Sequence, residues 1–153
     1  VWDAPFRDFL RSHWNDVAAR TGQPFDLSLL ERERFDYTTE PACRAVCTGR
    51  ELDETKVFAL FERLQRAFYA EGRDITDDNT LCELAEETGY LPDDFKRLFL
   101  SNAMREQVVS DRYKSRAYGA NAFPSLVQID DEGHLSVIKG YRTYGDIVKM
   151  IDN

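Results

Sequence analysis

Apolar residues in the first two thirds of the chain recur at the three- and four-residue steps of a buried helix face. The first of these stripes consists of Phe6, Phe9, Leu10, Trp14, Val17 and Ala18. Gly22 and Pro24 end the predicted helix, because glycine accepts a left-handed conformation after the last turn and proline cannot continue the hydrogen-bond ladder. Residues 25–37 have no clear period and predict irregular or weakly helical structure.

Five further helices are predicted before residue 119, beginning near residues 40, 53, 77, 92 and 101. Pro41 and Pro92 suit a first helical turn, and Asp53 is a suitable N-cap. The residues expected to face inward are Cys43, Val46, Cys47, Val57, Leu60, Phe61, Leu64, Phe68, Leu81, Leu84, Ala85, Met104, Val108, Tyr113 and Ala117. The first two thirds are therefore predicted to consist of successive helices, interrupted by residues 25–37.

The last 35 residues have a different pattern. Residues 126–129 and 135–138 are short β-prone runs, and the acidic turn 130–133 between them predicts a hairpin. Thr143 and Asp146 have the spacing of a capping box and predict a terminal helix. An isolated hairpin is only marginally stable in water, so we expect it to be covered by helices, by another chain, or by a segment outside this sequence.

Charge and composition exclude several classes of protein. The chain has 153 residues, with 20 Lys and Arg against 28 Asp and Glu, which gives a net charge of −8. A surface of this sign does not favour nucleic acid or an anionic membrane, so neither is expected as a partner. No apolar run approaches the roughly 20 residues that span a bilayer. The odd number of cysteines, three, is typical of a reducing compartment and predicts a cytoplasmic protein.

Candidate reactive residues are few. Cys43 and Cys47 stand four residues apart and could form a metal or redox pair, but buried packing is the preferred interpretation, because free cysteine is among the most buried residues. Cys82, His13 and His134 are scattered, so we expect no metal and no cofactor. We interpret both histidines as surface or partly packed residues. The sequence contains no C-x-x-C dithiol, the strong redox signature.

The segment 119–127, G-A-N-A-F-P-S-L-V, places a proline directly before a predicted strand. Proline is tolerated at the first residue of a strand, where no ladder donor is needed. Statistics alone favour a trans turn, because only about 5–6% of X-Pro bonds in folded proteins are cis. The pattern alone therefore leaves Pro124 as a turn residue.

Several longer stretches resemble the DsbA-like disulfide oxidoreductases, in particular the FrnE-like branch of protein disulfide isomerases. The matching stretches are H-W at 13–14, T-G-Q-P-F at 21–25, Y-T-T-E-P-A-C-R-A-V at 37–46, Q-R-A-F-Y at 65–69, G-R-D-I at 72–75, F-P-S-L at 123–126 and G-Y-R at 140–142. They extend over essentially the whole chain. The resemblance implies a mostly helical α/β fold, with a helical insertion domain over residues 1–118 and the C-terminal hairpin and helix of a thioredoxin-like domain over residues 119–153.

The resemblance also implies a functional role for the loop. In this family the proline is cis and lies beside the reactive dithiol, so Phe123, Pro124 and Ser125 are the expected substrate-binding residues. The expected substrate is a protein or a small thiol or disulfide. Cys43 matches a cysteine of the family's helical segment, where packing is its expected role.

This sequence departs from the family because the N-terminal strand and its C-x-x-C are absent. We therefore expect a truncated chain that supplies the substrate groove and the cis-Pro loop and has no catalytic residue of its own. Two alternatives stay open, a redox-inactive protein-binding module of the same fold and a relative of the kappa-type glutathione transferases. A homodimer through the unpaired hairpin edge is a further expectation.

Overall fold

The computed structural model describes residues 2–151, and in this range the chain forms seven α-helices and one β-hairpin. The elements in chain order are α1 (Ala4–Thr21), α2 (Glu40–Leu52), α3 (Val57–Tyr69), α4 (Asp78–Glu87), α5 (Pro92–Phe99), α6 (Asn102–Ala117), β1 (Ser125–Ile129), β2 (Leu135–Lys139) and α7 (Tyr144–Ile151). Short 3-10 turns cover Leu27–Glu31 and Glu54–Lys56. The mostly helical α/β fold predicted from the sequence is confirmed.

The helix ends follow from local chemistry. Asp3 caps α1, since its carboxylate accepts the Phe6 backbone N–H at 3.0 Å. At the other end Gly22 adopts φ 71° and donates its N–H to the Ala18 carbonyl, as predicted. Asp77 caps α4 in the same way through the Thr80 N–H at 2.8 Å. Each of these ends satisfies backbone groups that a helix leaves unpaired.

The described residues divide into two compact units, one up to Val108 and one from Val109 onward. The first unit has a large core between α2, α3, α4 and α5. Its buried members are Ala45, Leu60, Leu64, Ala67, Leu81, Leu84, Ala85, Tyr90, Phe95 and Phe99. A second cluster joins α1 to the first 3-10 turn and α3 through Leu10, Trp14, Leu29, Leu30 and Phe68. The domain boundary after residue 118 stays a prediction.

The second unit is built on the hairpin. β1 and β2 are antiparallel, with Ser125 opposite Lys139 and Ile129 opposite Leu135. A bond from the Asp130 N–H to the His134 carbonyl, 3.2 Å, begins the turn between them. None of residues 109–151 is fully buried. This unit therefore lacks a closed core among the described residues.

Some residues predicted to face inward are on the surface. Cys43 is exposed, so the packing role assigned to it is wrong, whereas Cys47 is buried against Met104 and Val108. Phe9 and Tyr113 are also exposed, as is Phe61 in part. The period identifies one face of a helix, but it does not show how much of that face another element covers. None of the described helices has the length and apolarity required to cross a membrane.

Candidate functional site

The loop between α6 and β1 is held at both ends by backbone hydrogen bonds. At its start the N–H of Gly119 bonds to the Arg116 carbonyl, and the N–H of Ala120 bonds to the Ser115 carbonyl, both at 2.9 Å. Gly119 has φ 78°, a left-handed conformation that favours glycine after a helix. At its end, Ser125 is the first residue of β1.

The three predicted site residues lie together where this loop meets the sheet. The Phe123–Pro124 peptide bond is cis. The Pro124 carbonyl accepts the Gly140 N–H at 2.9 Å, and the Ser125 hydroxyl donates to the Ala122 carbonyl at 2.6 Å. The first bond fixes the loop against the end of β2, and the second closes the turn just before β1. The role of Phe123, Pro124 and Ser125 in substrate binding stays a prediction.

Phe123 is the most exposed large apolar side chain in the described chain, with 97% of its surface accessible. No described residue forms a hydrogen bond with the backbone N–H or the carbonyl of Phe123. A large apolar side chain beside free backbone groups is well suited to receive an extended peptide.

The hydrogen-bond pattern of the hairpin shows which way the backbone groups point. In an antiparallel pair, every second residue bonds to the neighbouring strand and the residues between them point outward. Because Pro124 pairs with Gly140, the outward set is Phe123, Ser125, Val127 and Ile129. The open edge of β1 therefore continues directly from Phe123.

Charged side chains are unevenly placed along the hairpin. Lys139 donates to the Asn121 side-chain oxygen at 2.9 Å, and Arg142 donates to the Tyr141 carbonyl at 2.9 Å, both at the loop end. At the turn end, Asp130 accepts the backbone N–H groups of Glu132 and His134, and the bond from His134 lowers the pKa of the Asp130 carboxyl. The loop end is thus cationic and the turn end anionic.

The three cysteines are free thiols that differ in exposure. Cys43 is exposed, Cys47 is buried, and Cys82 on α4 is partly buried. Burial raises the pKa of the Cys82 thiol, which disfavours the nucleophilic thiolate. His13 is stacked on Phe9 at the surface of α1. Within residues 2–151, no three His, Cys, Asp or Glu side chains are grouped as a metal site would require.

Sequence reasoning missed Lys139 and Asn121 and gave no role to Gly140 and Arg142. The G-Y-R stretch at 140–142 was a visible signal, but only the strand register shows that it lies beside Pro124.

No protein-family model matches the sequence. Solved proteins that are similar in structure over most of the chain include a disulfide isomerase and a disulfide reductase. The crystal structure described as "putative protein disulfide isomerase from Nitrosomonas europaea" has a TM-score of 0.90 and 30% identity, covering 98% of this chain and 74% of that one. The cytosolic disulfide reductase DsbM from Pseudomonas aeruginosa has a TM-score of 0.76 and 31% identity, covering 87% of this chain and 67% of that one. Its structure with GSH has a TM-score of 0.70 and 30% identity, covering 83% of this chain and 64% of that one.

Proposed function

The chain belongs to the DsbA-like family of thioredoxin-fold thiol–disulfide oxidoreductases, and from this premise we propose that it supplies the loop and groove that hold a disulfide substrate. The reactive dithiol of the whole enzyme would lie in a segment outside these 153 residues, since no C-x-x-C occurs among them. The 153-residue chain alone would then bind substrates without exchanging disulfides.

The observation that carries the proposal is the exposed Phe123 with its free backbone groups next to the Pro124 turn. An extended substrate segment would pair its main chain with Phe123 and place its sulfur beside Pro124, which has no N–H to donate. In the complete enzyme a thiolate would attack one sulfur of the substrate disulfide. A mixed disulfide forms, the substrate S–S bond breaks, and the other substrate sulfur leaves as a thiolate.

The second unit gives independent support. Its hairpin has apolar residues on both faces, with Val127 and Val137 on one and Leu126 and Ile138 on the other. None of residues 109–151 is fully buried. Two-stranded sheets are marginal alone, and three or more strands normally form a stable sheet. An additional stretch of thioredoxin-like sheet would complete such a core.

Peptide binding tests the proposal directly. We would titrate the 15N-labelled chain with a blocked pentapeptide, Gly-Gln-(S-methylcysteine)-Gln-Gly, and follow the amide signals of Phe123 and Ser125. We expect both signals to shift, and Phe123→Ala to weaken binding about five- to tenfold, the cost of truncating one apolar contact residue.

Phe58→Ala is the matched control, because Phe58 is 82% exposed on α3 and lies outside the loop. It should leave the affinity unchanged. Shifts confined to the helical unit, or equal effects of the two variants, would contradict the proposal.

The second candidate function is that of a relative of the kappa-type glutathione transferases. A structural neighbour whose structure was solved with GSH favours it. The T-E-P-A-C-R-A-V stretch at 39–46 favours the disulfide branch instead. Calorimetry with glutathione tests binding, which both candidates allow, so an assay for conjugation of glutathione to an aryl halide separates them, because only a transferase relative would form the conjugate. A redox-inactive binding module would bind the peptide even in the native full-length protein but would never reduce a disulfide.

Two further parts of the proposal concern the assembly and the compartment. The open edge of β1 would pair two copies of the isolated chain, since unpaired strand edges template such pairing. A sedimentation coefficient that remains that of the monomer at all concentrations would contradict this dimer.

We place the protein in the cytoplasm, in agreement with the cytosolic DsbM neighbour.

A further inference from the structure

Two cations flank the loop without a carboxylate partner. Lys139 lies directly across the sheet from Ser125, and Arg142 follows Gly140 by two residues. A Cβ on Gly140 would lie 3.7 Å from the Arg142 guanidinium, so that group lies beside the exposed residue that is bonded to Pro124. Among the described residues, no ion pair joins either side chain to an acid.

Both cations keep donors to spare. Lys139 has three N–H donors and Arg142 five, and the hydrogen bonds to Asn121 and Tyr141 use one of each. Both acceptors are neutral oxygens, which bind a cation less strongly than a carboxylate does. A carboxylate brought to this place would therefore gain hydrogen bonds without displacing an existing ion pair.

Three of the described acids of this unit lie at the turn end of the hairpin. Asp130, Asp131 and Glu132 are at the far end of the hairpin, about 17 Å away for five residues of strand. This separation is roughly twice the Debye length of about 8 Å at physiological salt, so their field at the loop is weak. Asp146 accepts the Thr143 hydroxyl at 2.7 Å at the start of α7.

We propose that Lys139 and Arg142 form a carboxylate-binding subsite, so that the preferred substrate is a thiol or disulfide with an anionic group next to the reacting sulfur. This inference rests on the proposed function and specifies its substrate class. The carboxylate can belong to an acidic residue beside a cysteine in a protein, or to a small thiol such as glutathione. Both present the same chemistry to the two cations.

The test uses the 153-residue chain and three blocked pentapeptides with central S-methylcysteine flanked by Glu, Gln or Lys. We expect the Glu peptide to bind about three- to tenfold more tightly than the Gln peptide, and the Lys peptide least tightly, at low salt. Lys139→Gln and Arg142→Gln should each reduce this preference about two- to fivefold, the usual range for exposed charge pairs. The preference should diminish in 0.5 M salt.

Arg112→Gln is the control, since it removes one positive charge from an exposed position of α6 in the same unit. It should leave the preference unchanged. An additional titration with S-methylglutathione distinguishes the sources: sensitivity to the Lys139 and Arg142 variants in this titration indicates a small thiol, and sensitivity only with the Glu peptide indicates a protein substrate.

Equal affinities for the three peptides, or an Arg112→Gln effect as large as the other two, would overturn the subsite and leave the proposed function intact. If no peptide shifts the Phe123 amide, both fail.

Discussion

At the scale of single residues, Gly49 shows how closely the helices of the first unit approach each other. It lies inside α2, where alanine is normally about 1 kcal/mol better than glycine. A Cβ at this position would lie 2.7 Å from Leu60 Cδ2 and 2.9 Å from the Tyr90 hydroxyl. These contacts are shorter than real Cβ contacts, and Leu60 and Tyr90 are themselves buried, so an added methyl group would force both side chains to move inside a packed core.

Gly49→Ala should therefore destabilise the helical unit by about 1–3 kcal/mol, the usual cost of overpacking a core. Gly145→Ala in α7 is the matched control, because nothing lies within 4 Å of its Cβ position. The control should be neutral or slightly stabilising. Urea unfolding followed by circular dichroism measures both, and equal stability of the two variants would show that the contact relaxes freely.

At the scale of helices, a buried arginine joins three elements of the first unit. Arg44 of α2 is 3% exposed and lies 4.1 Å above the Phe99 ring. Its guanidinium donates to the Phe99 carbonyl at the end of α5, at 3.2 Å, and approaches Asp78 at the start of α4 at 3.4 Å. The Glu40 carboxylate is 3.2 Å from its Nε. A buried charge is tolerated here because acids and a carbonyl surround it.

Arg44→Ala should cost about 3 kcal/mol, because it leaves acids and a carbonyl without their partner. Arg44→Lys should recover little of this loss, since an ammonium can neither stack flat on Phe99 nor reach several acceptors together. Arg105→Ala at an exposed position of α6 should change stability by less than about 0.5 kcal/mol. Thermal unfolding of the three variants provides the comparison, and a stable Arg44→Lys variant would refute the geometric argument.

Local chemistry made most of the elements predictable. Asp77 and Gly22 mark helix ends through their own hydrogen bonds, and the acidic turn and β-prone runs mark the hairpin. Burial was less predictable, because Cys43 and Phe9 share the period of core positions but are left exposed by the elements of residues 2–151.

The candidate site likewise contains residues that the sequence identified and residues that it did not. The local F-P-S stretch led to Phe123, Pro124 and Ser125 through a family resemblance. Lys139 could not be identified in this way, because it is 14 residues from Ser125 in sequence and only the register of the sheet makes them neighbours.

At the scale of the whole molecule, the chain combines a helical unit with a closed core and a second unit without one. Leu60, Phe95 and Phe99 are fully buried in the first, whereas no residue of 109–151 is. The net charge of −8 also lies entirely in residues 1–108, where 14 basic residues face 22 acidic ones, against six of each in residues 109–153. The loop that we propose binds the substrate thus belongs to the neutral, incompletely covered unit, where an added segment would also bind.

Insulin reduction in the presence of glutathione tests the central claim most directly. We predict no turnover above the uncatalysed rate for the 153-residue chain, and turnover for the native protein, whose mass should exceed 17.7 kDa. Reduction of insulin by this chain alone, abolished when Cys43, Cys47 and Cys82 are replaced by serine, would contradict the account.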